Sequence, residues 1–321
     1  MWIGVACGLA AGALWGMVFI VPVLLAAFSP LELAVGRYVA YGLIALAMAA
    51  PRLLPLLRKL DPSDIAAMVR QALAGNIVYY VFLALGVKLA GVPATSLIVG
   101  MLPVSVTLLG RNDHGAASLR DLAAPLLMIG GAVLCMNADV FMHAGPGAGS
   151  ATVAGKVLGI LCATAALACW TYYALDNARF LKRNHHFTGA EWSMLYGLAS
   201  GAIALVIGVV ALALFSGQVT GAAAVASGRD WGRYAMVNVL LALGASVIGN
   251  HLWNVASRRV PVTLCGTLIL SETLFAFLYG FIYQQRMPRA LEALAIVLMV
   301  AGTIWSVRAH DAPAQPSPAA P

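Results

Sequence analysis

The sequence predicts an all-α integral membrane protein whose ten transmembrane helices form two inverted five-helix repeats. Three observations carry that expectation: composition, the number of long apolar segments, and short patterns that recur between the halves. Of 321 residues, 62% are apolar and 10% charged, against roughly 45–50% and 25% in soluble domains. Mean hydropathy is +0.90. A net charge of +7 would suggest a nucleic-acid partner in a soluble chain. Here the basic residues sit in short loops and read as topology signals. No basic patch is interleaved with aromatics, so no nucleic acid is expected.

The first apolar span covers residues 2–28. It lacks a basic leader and exceeds the 7–15-residue core of a signal peptide, so it reads as a retained helix. Further spans follow at 31–50, 65–87, 93–110, 121–138, 155–177, 190–215, 233–256, 261–283 and 290–307. The segments 93–110 and 121–138 are short for helices of ~20 residues. The Pro/Ala-rich tail at 308–321 is expected to be disordered. The five cysteines are scattered without CxxC spacing, which suggests neither a disulfide framework nor a metal site. No cofactor is expected.

With a cytoplasmic N-terminus, twelve basic residues lie in inside segments and six in outside segments, with Arg37 left within a span. The bias favours both termini inside. Ala13-Leu14-Trp15 and Ala168-Cys169-Trp170 lie 155 residues apart, as do Tyr41-Gly42-Leu43 and Tyr196-Gly197-Leu198. Five spans per half is an odd number, so the second half enters from the opposite side, the inverted-repeat plan of secondary transporters. The division is 1–138, a linker at 139–154, and 155–307.

ALWGMVFI in the first span, AVGRY in the second and PVTLCGTLILSETLFAFLYGFI near the end resemble the drug/metabolite transporter superfamily, and within it the EamA-like proteins. The resemblance covers residues 1–307. It implies a central cavity between the repeats and export of small metabolites, amino acids or drugs from the inner (plasma) membrane. One departure stands out. Such repeats often carry Glu-Pro in the fourth helix of each half, whereas this chain has Leu102-Pro103 in one and Glu272-Thr273 in the other.

Glu272 is the first candidate for chemistry. It lies eleven residues from either end of the span 261–283, about 16 Å from each end at the helical rise and so near the midplane. A charge there costs at least ~2.5–3.5 kcal/mol on insertion scales and usually marks an ion or substrate pathway. A carboxyl that alternates between neutral and charged is what proton coupling needs; the alternative is a structural hydrogen bond to Asn250 or Asn254. Pro103 is expected to kink its span and free a carbonyl. Trp15 and Trp170 sit at central depth rather than at the interface that membrane tryptophans prefer, as flat walls for a ligand or as packing. Tyr172 and Tyr173 would extend that wall. Asn76, Tyr79 and Tyr80 share a helix face, as do Asn250, Trp253 and Asn254. Both faces should point inward, as cavity lining or interhelical hydrogen bonds. Arg37, placed towards the outer side, is expected to pair with Glu32, to snorkel, or to attract a substrate carboxylate.

No Walker A loop, HExxH motif or potassium-filter sequence is present. The leading expectation is a secondary active transporter, not an enzyme, that exports small organic solutes by alternating access, with protons as a coupling ion. An intramembrane enzyme using Glu272 and a non-transporting scaffold are the alternatives. Flux into sealed liposomes would separate them.

The orientation is testable. In a variant lacking the five native cysteines, a cysteine placed at 145–151 should react with impermeant reagents only from the non-cytoplasmic side. Labelling from the cytoplasmic side alone would invert the topology.

Overall fold

The computed structural model describes residues 2–109, 119–142, 153–183, 186–215, 229–257, 259 and 262–311, and among them the chain forms helices and no strand. Helix α1 (Trp2–Leu24) is apolar throughout. The start of α2 (Pro30–Ala49) is fixed by a capping box: Ser29 Oγ accepts from the Glu32 N–H at 3.2 Å, and Glu32 Oε2 accepts from the Ser29 N–H at 2.6 Å. Pro30 sits in the first turn, where its missing N–H is not needed. After the short α3 (Leu53–Arg58), Asp61 and Pro62 repeat the device at α4 (Pro62–Ala72). The chain then runs through a π-helical segment, Leu73–Ile77, into α5 (Val78–Ala90).

Gly91 alone turns α5 into α6 (Val92–Val99), with φ at +90°, a conformation that L side chains rarely adopt. Next come α7 (Leu102–Leu109), α8 (Leu119–Met142), α9 (Val153–Arg183) and α10 (Gly189–Phe215). Asp230 caps α11 (Trp231–Leu241), which passes through a second π-helical segment, Ala242–Gly249, into α12 (Asn250–Ser257). The described helices end with α13 (Val262–Tyr283) and α14 (Ala290–Asp311).

Six stretches among the described residues are long and apolar enough to cross a membrane: Trp2–Leu24, Pro30–Arg58, Pro62–Ala90, Val153–Asn177, Gly189–Leu214 and Trp231–Trp253. The span Gly189–Leu214 decides the setting. Its mean hydropathy is 2.4, yet only 22% of its apolar window is buried within the protein. Leu205, Val206, Val209, Leu212 and Leu214 all face outward. At ~25 cal/mol per Å² such a surface is unfavourable in water and suits lipid. The chain is an all-helical membrane protein.

Four pairings organise the bundle: α1 with α13, α2 with α10, α5 with α9, and α8 with α14. Helix α1 also contacts α12 and the second π segment, while α9 also contacts α6 and α7. Two of the contacts are backbone-close. A Cβ on Gly12 would lie 1.9 Å from Ser271 Oγ, and one on Gly16 would lie 3.0 Å from the Glu272 carbonyl oxygen. Where α2 crosses α10, a Cβ on Gly42 would lie 2.6 Å from Gly201 Cα. Small residues spaced by four let membrane helices approach in this way.

Ion pairs gather at the helix ends. At one end Arg70 binds Asp176 at 2.9 Å and Lys59 binds Glu191 at 2.9 Å. Gln71 Nε2 donates to Asp176 at 2.9 Å, and the Trp192 indole donates to Gln71 and Asn177 at 3.2 and 3.1 Å. At the other end Arg229 binds Glu32 at 3.0 Å, Tyr234 Oη donates to the Glu32 carbonyl, and Lys88 donates to the Ala26 and Phe28 carbonyls. Arg289 binds Asp139 and Arg286 binds Glu292, which ties α8 to the start of α14. The hydrogen-bonded Glu292 carboxylate holds the Arg286 guanidinium above its ordinary pKa.

The structure departs from the sequence expectation in three places. The segment 93–110 is two helices, broken at Gly100 and Met101, because Pro103 has no N–H to continue the ladder and instead occupies the first turn of α7. The Pro103 ring lies outside the described side chains. Helix α8 continues past residue 138 to Met142, and α14 past 307 to Asp311. No proline or glycine stops either earlier; Pro313 is the first proline beyond α14. The rest of the expected linker and tail, 143–152 and 312–321, lies outside the described residues.

The glycine contacts predict opposite signs for one substitution. Gly42→Ala should destabilise by about 1–3 kcal/mol through overpacking against Gly201. Gly130→Ala, where nothing lies within 4 Å of the new methyl, should stabilise by about 0.5–1 kcal/mol. Thermal unfolding in detergent reads both; a stabilised Gly42→Ala would show that the crossing is looser.

Candidate functional site

Residues near the middle of several helices surround a small cavity of about 80 Å³, below the ~300–1,000 Å³ of fully formed small-molecule sites. Helix α1 contributes Trp15, α5 contributes Tyr79, α9 contributes Trp170 and Tyr173, and α13 contributes Glu272. Arg37, Tyr38 and Tyr41 come from α2, and Tyr196 from α10. The two π segments bring Gly75, Asn76, Ala245 and Ser246, and Asn250 follows the second. A smaller adjoining cavity of about 20 Å³ shares Tyr79, Trp170 and Glu272 and reaches Gly100 and Leu102 at the helix break. Glu272 therefore lies between the two voids.

The wall is aromatic and interlocked. Trp170 meets Tyr79 at 6.2 Å and Tyr173 at 5.7 Å between ring centroids, and Tyr173 stacks on Tyr196 at 5.3 Å. These offset and edge-on arrangements are the favourable ones for aromatic pairs. The π turns make room for them. A Cβ on Gly75 would lie 2.5 Å from the Tyr173 ring, and one on Gly249 would lie 2.9 Å from Trp15 Nε1. Within the second π segment the Ala245 carbonyl accepts the Trp15 indole N–H at 3.0 Å. Inserted π turns recur at functional sites in helices.

Two charged groups face this cavity unpaired. Glu272 forms no hydrogen bond and no ion pair among the described residues. Its neighbours turn away from it. Ser271 Oγ donates to the Leu268 carbonyl at 2.6 Å, and Thr273 Oγ1 donates to the Ser96 carbonyl at 3.5 Å. Arg37 is only 7% exposed, and its Nε and Nη1 are buried without a hydrogen-bond partner. It lies over the Tyr80 ring at 4.7 Å and the Tyr38 ring at 5.1 Å. Cation–π contacts are worth about 0.5–2 kcal/mol each, whereas removing an ion from water costs several kcal/mol. The rings offset part of that cost, and the opposite charge of Glu272 lines the same cavity.

The structure brings together Glu272, Trp15, Trp170, Tyr79, Asn76, Asn250 and Arg37, and separates the others. Tyr80 is fully buried behind Arg37 and does not line the cavity. Trp253 packs behind Trp15 at 5.4 Å, while the Asn254 side chain lies outside the described ones. Tyr172 is exposed; only Tyr173 joins the wall. The structural alternative for Glu272 does not form with Asn250, whose Nδ2 donates to the Ser246 carbonyl at 2.8 Å. For Arg37, two of the three expectations fall. It neither snorkels nor pairs with Glu32, because Arg229 takes that carboxylate at 3.0 Å. Tyr38, Tyr41 and Tyr196 join the wall without having been expected. The π segments were also missed, although Gly75-Asn76 and Gly249-Asn250 repeat one dipeptide at both.

Over 310 residues the chain is 32% identical to the inner membrane protein YtfF of Escherichia coli (strain K12), with 95% of each chain covered. A solved crystal structure matches with a TM-score of 0.62 at 20% identity, over 94% of this chain and 96% of that one, a likeness of fold alone. No protein-family model matches.

The indole contact is open to test. Trp15→Phe keeps a ring against Trp253 but removes the donor to Ala245, and should lower stability by about 0.5–1.5 kcal/mol. Denaturant titration of the purified protein reads the change. An unchanged midpoint would mean that the Ala245 carbonyl has another partner.

Proposed function

The chain belongs to the family of the inner membrane protein YtfF, and we propose that it is a secondary active transporter of small organic solutes, working by alternating access in the inner membrane. The observation that carries this reading is Glu272, a carboxyl at the middle of a membrane helix with no ion pair or hydrogen bond among the described residues, facing a central cavity lined by residues of several helices. Intramembrane ionisable residues of this kind mark solute and proton pathways. The solutes are amino acids or related metabolites, with drugs as a further class, and the direction is export. The chain is not an enzyme on this reading: the groups that share the cavity with Glu272 are an arginine, a poor proton shuttle, and tyrosines such as Tyr79, Tyr173 and Tyr196 held in aromatic packing.

Further support comes from how the helices pair. Numbering the ten spans in order, exchanging the first five with the last five maps the contact of the first with the eighth onto that of the sixth with the third. The same exchange maps the pairs α2–α10 and α8–α14 onto themselves. Both π segments fall in spans that correspond, the third and the eighth. Two inverted repeats around the cavity, in the manner of the drug/metabolite transporter superfamily, account for this pattern, with both termini cytoplasmic. A broken helix beside the site is a common feature of such transporters, and α6–α7 supplies one.

Coupling follows from charge. With no hydrogen bond or ion pair among the described residues, the Glu272 carboxyl is free to exchange a proton for a cationic group on the solute as the cavity is exposed first to one side and then to the other. One proton moving down one pH unit supplies about 1.4 kcal/mol, enough for a tenfold solute gradient. The test is Glu272→Gln, which keeps shape and hydrogen bonding but does not titrate. Reconstituted beside wild type with radiolabelled amino acids, it should lose pH-gradient-driven flux and retain exchange at equal pH. Equal gradient-driven rates would return Glu272 to a structural role.

A further inference from the structure

We infer that the cavity is built for a zwitterion: Arg37 receives the solute's carboxylate while Glu272 receives its ammonium group. The inference rests on the transporter reading and deepens it by naming the charge pattern of the solute and a residue that selects for it.

The argument begins with what the two side chains lack. Arg37 is 7% exposed, with Nε and Nη1 buried and unbonded. The one acid on its own helix, Glu32, is held by Arg229 at 3.0 Å and by the Ser29 N–H at 2.6 Å. No carboxylate lies within 4.0 Å of the guanidinium among the described residues. Glu272 lines the same cavity, also without a hydrogen bond. Buried ions are otherwise paired or hydrogen-bonded; here one positive and one negative group share a cavity and feel each other's charge without a direct ion pair, and each keeps hydrogen-bonding capacity unused.

The charge pattern narrows the occupant. A simple anion would satisfy Arg37 and leave Glu272 bare. A simple cation would do the reverse. A molecule carrying both ends satisfies both groups at once, and a guanidinium presents paired donors that match a carboxylate fork. The rest of the cavity is aromatic, through Trp15, Tyr79, Trp170 and Tyr173, and gives the solute's carbon skeleton an apolar surface. Small amino acids meet all of these requirements.

The experiment uses the purified full-length chain and the common L-amino acids, each beside its N-acetyl form (anion only) and its methyl ester (cation only). Binding is read by equilibrium dialysis and thermal shift. At least one amino acid should bind tenfold or more tighter than both of its blocked forms. Arg37→Gln should weaken the amino acid at least tenfold and erase its advantage over the ester. Glu272→Gln should erase its advantage over the N-acetyl form. Arg37→Lys, which keeps the charge but loses the fork, should retain the preference at lower affinity, and it serves where Arg37→Gln does not fold.

Blocked forms that bind as tightly as the free amino acid would overturn the inference. So would an equal loss for all three ligands in a folded Arg37→Gln, or no binding of any amino acid by wild type. The transporter reading fails separately. If the zwitterion preference holds but sealed vesicles show no flux, the site stands and transport falls. If flux is seen for solutes regardless of their charges, transport stands and the zwitterion site falls.

Discussion

The close approach of α1 to α13 is the contact on which the rest of the structure depends. Gly8, Gly12 and Gly16 form one stripe along α1, and α13 lies against it so closely that any side chain there would strike Leu268, Ser271 or Phe275. Lipid offers no hydrophobic drive between helices, so such contacts hold by van der Waals packing, interhelical hydrogen bonds and lipid entropy. This one has a second consequence. It fixes the Glu272 backbone against Gly16 and leaves the carboxyl to face the cavity rather than the seam. The Tyr279 hydroxyl, donating to the Ala13 carbonyl at 3.1 Å, holds the same pair one turn further on. A looser seam would let the acid rotate or admit water beside it.

Backbone irregularity gathers at the cavity for a related reason. A regular helix satisfies its own N–H and C=O groups and offers a solute nothing but side chains. Each π turn, and the break at Gly100 and Met101, disturbs that closure where the disturbance is sheltered from lipid. The Ala245 carbonyl shows the outcome: it accepts an indole N–H from another helix. Gly75 and Gly249 admit Tyr173 and Trp15 where a methyl group would collide. The irregular segments and the aromatic wall are thus one construction.

Much of this was legible in the sequence, and what was not has a physical reason. Long apolar segments announce helices because nothing else buries a backbone in lipid, so α1, α2, α9 and α10 lie where hydropathy puts them. The midspan position of Glu272 gave the site its centre, and Trp15, Trp170 and Tyr79 reached it. Arg37 lines the cavity, as its place among the candidates implies, but its pairing with Glu32 fails because linear distance ignores a competitor from another helix, and Arg229 is 197 residues away from Glu32. Tyr80 was misjudged because neighbours on one helix diverge in direction, so one faces the void and the next supports it. The π turns escaped because a one-residue insertion leaves composition unchanged, and only the repeated Gly-Asn hints at it. The membership of Tyr38, Tyr41 and Tyr196 depends on helix rotation, which hydropathy does not specify in spans that are apolar all round.

The distribution of ion pairs bears on which parts move. Arg70–Asp176 and Lys59–Glu191 are substantially exposed on their basic side, with side-chain exposures of 45% and 44%. Exposed pairs of this kind contribute about 0–1 kcal/mol each. They join α4 and the segment before it to α9 and α10, across the two halves of the chain. At the opposite end Glu32 and Arg229, with exposures of 31% and 20%, again bridge the halves. In contrast, Asp139 and Glu292 are only 3% exposed, although their partners Arg289 and Arg286 keep exposures of 40% and 25%, and they secure the ends of α8 and α14, which do not contribute to the main cavity. On the transporter reading proposed above, a cavity that opens by turns at two ends would be served by this order: weak, solvated closures over the cavity and less exposed acids in the contacts away from it. A ligand need then supply only a few kcal/mol of differential binding to shift the balance between states, which is the scale that compensating one unpaired arginine and one unpaired glutamate provides.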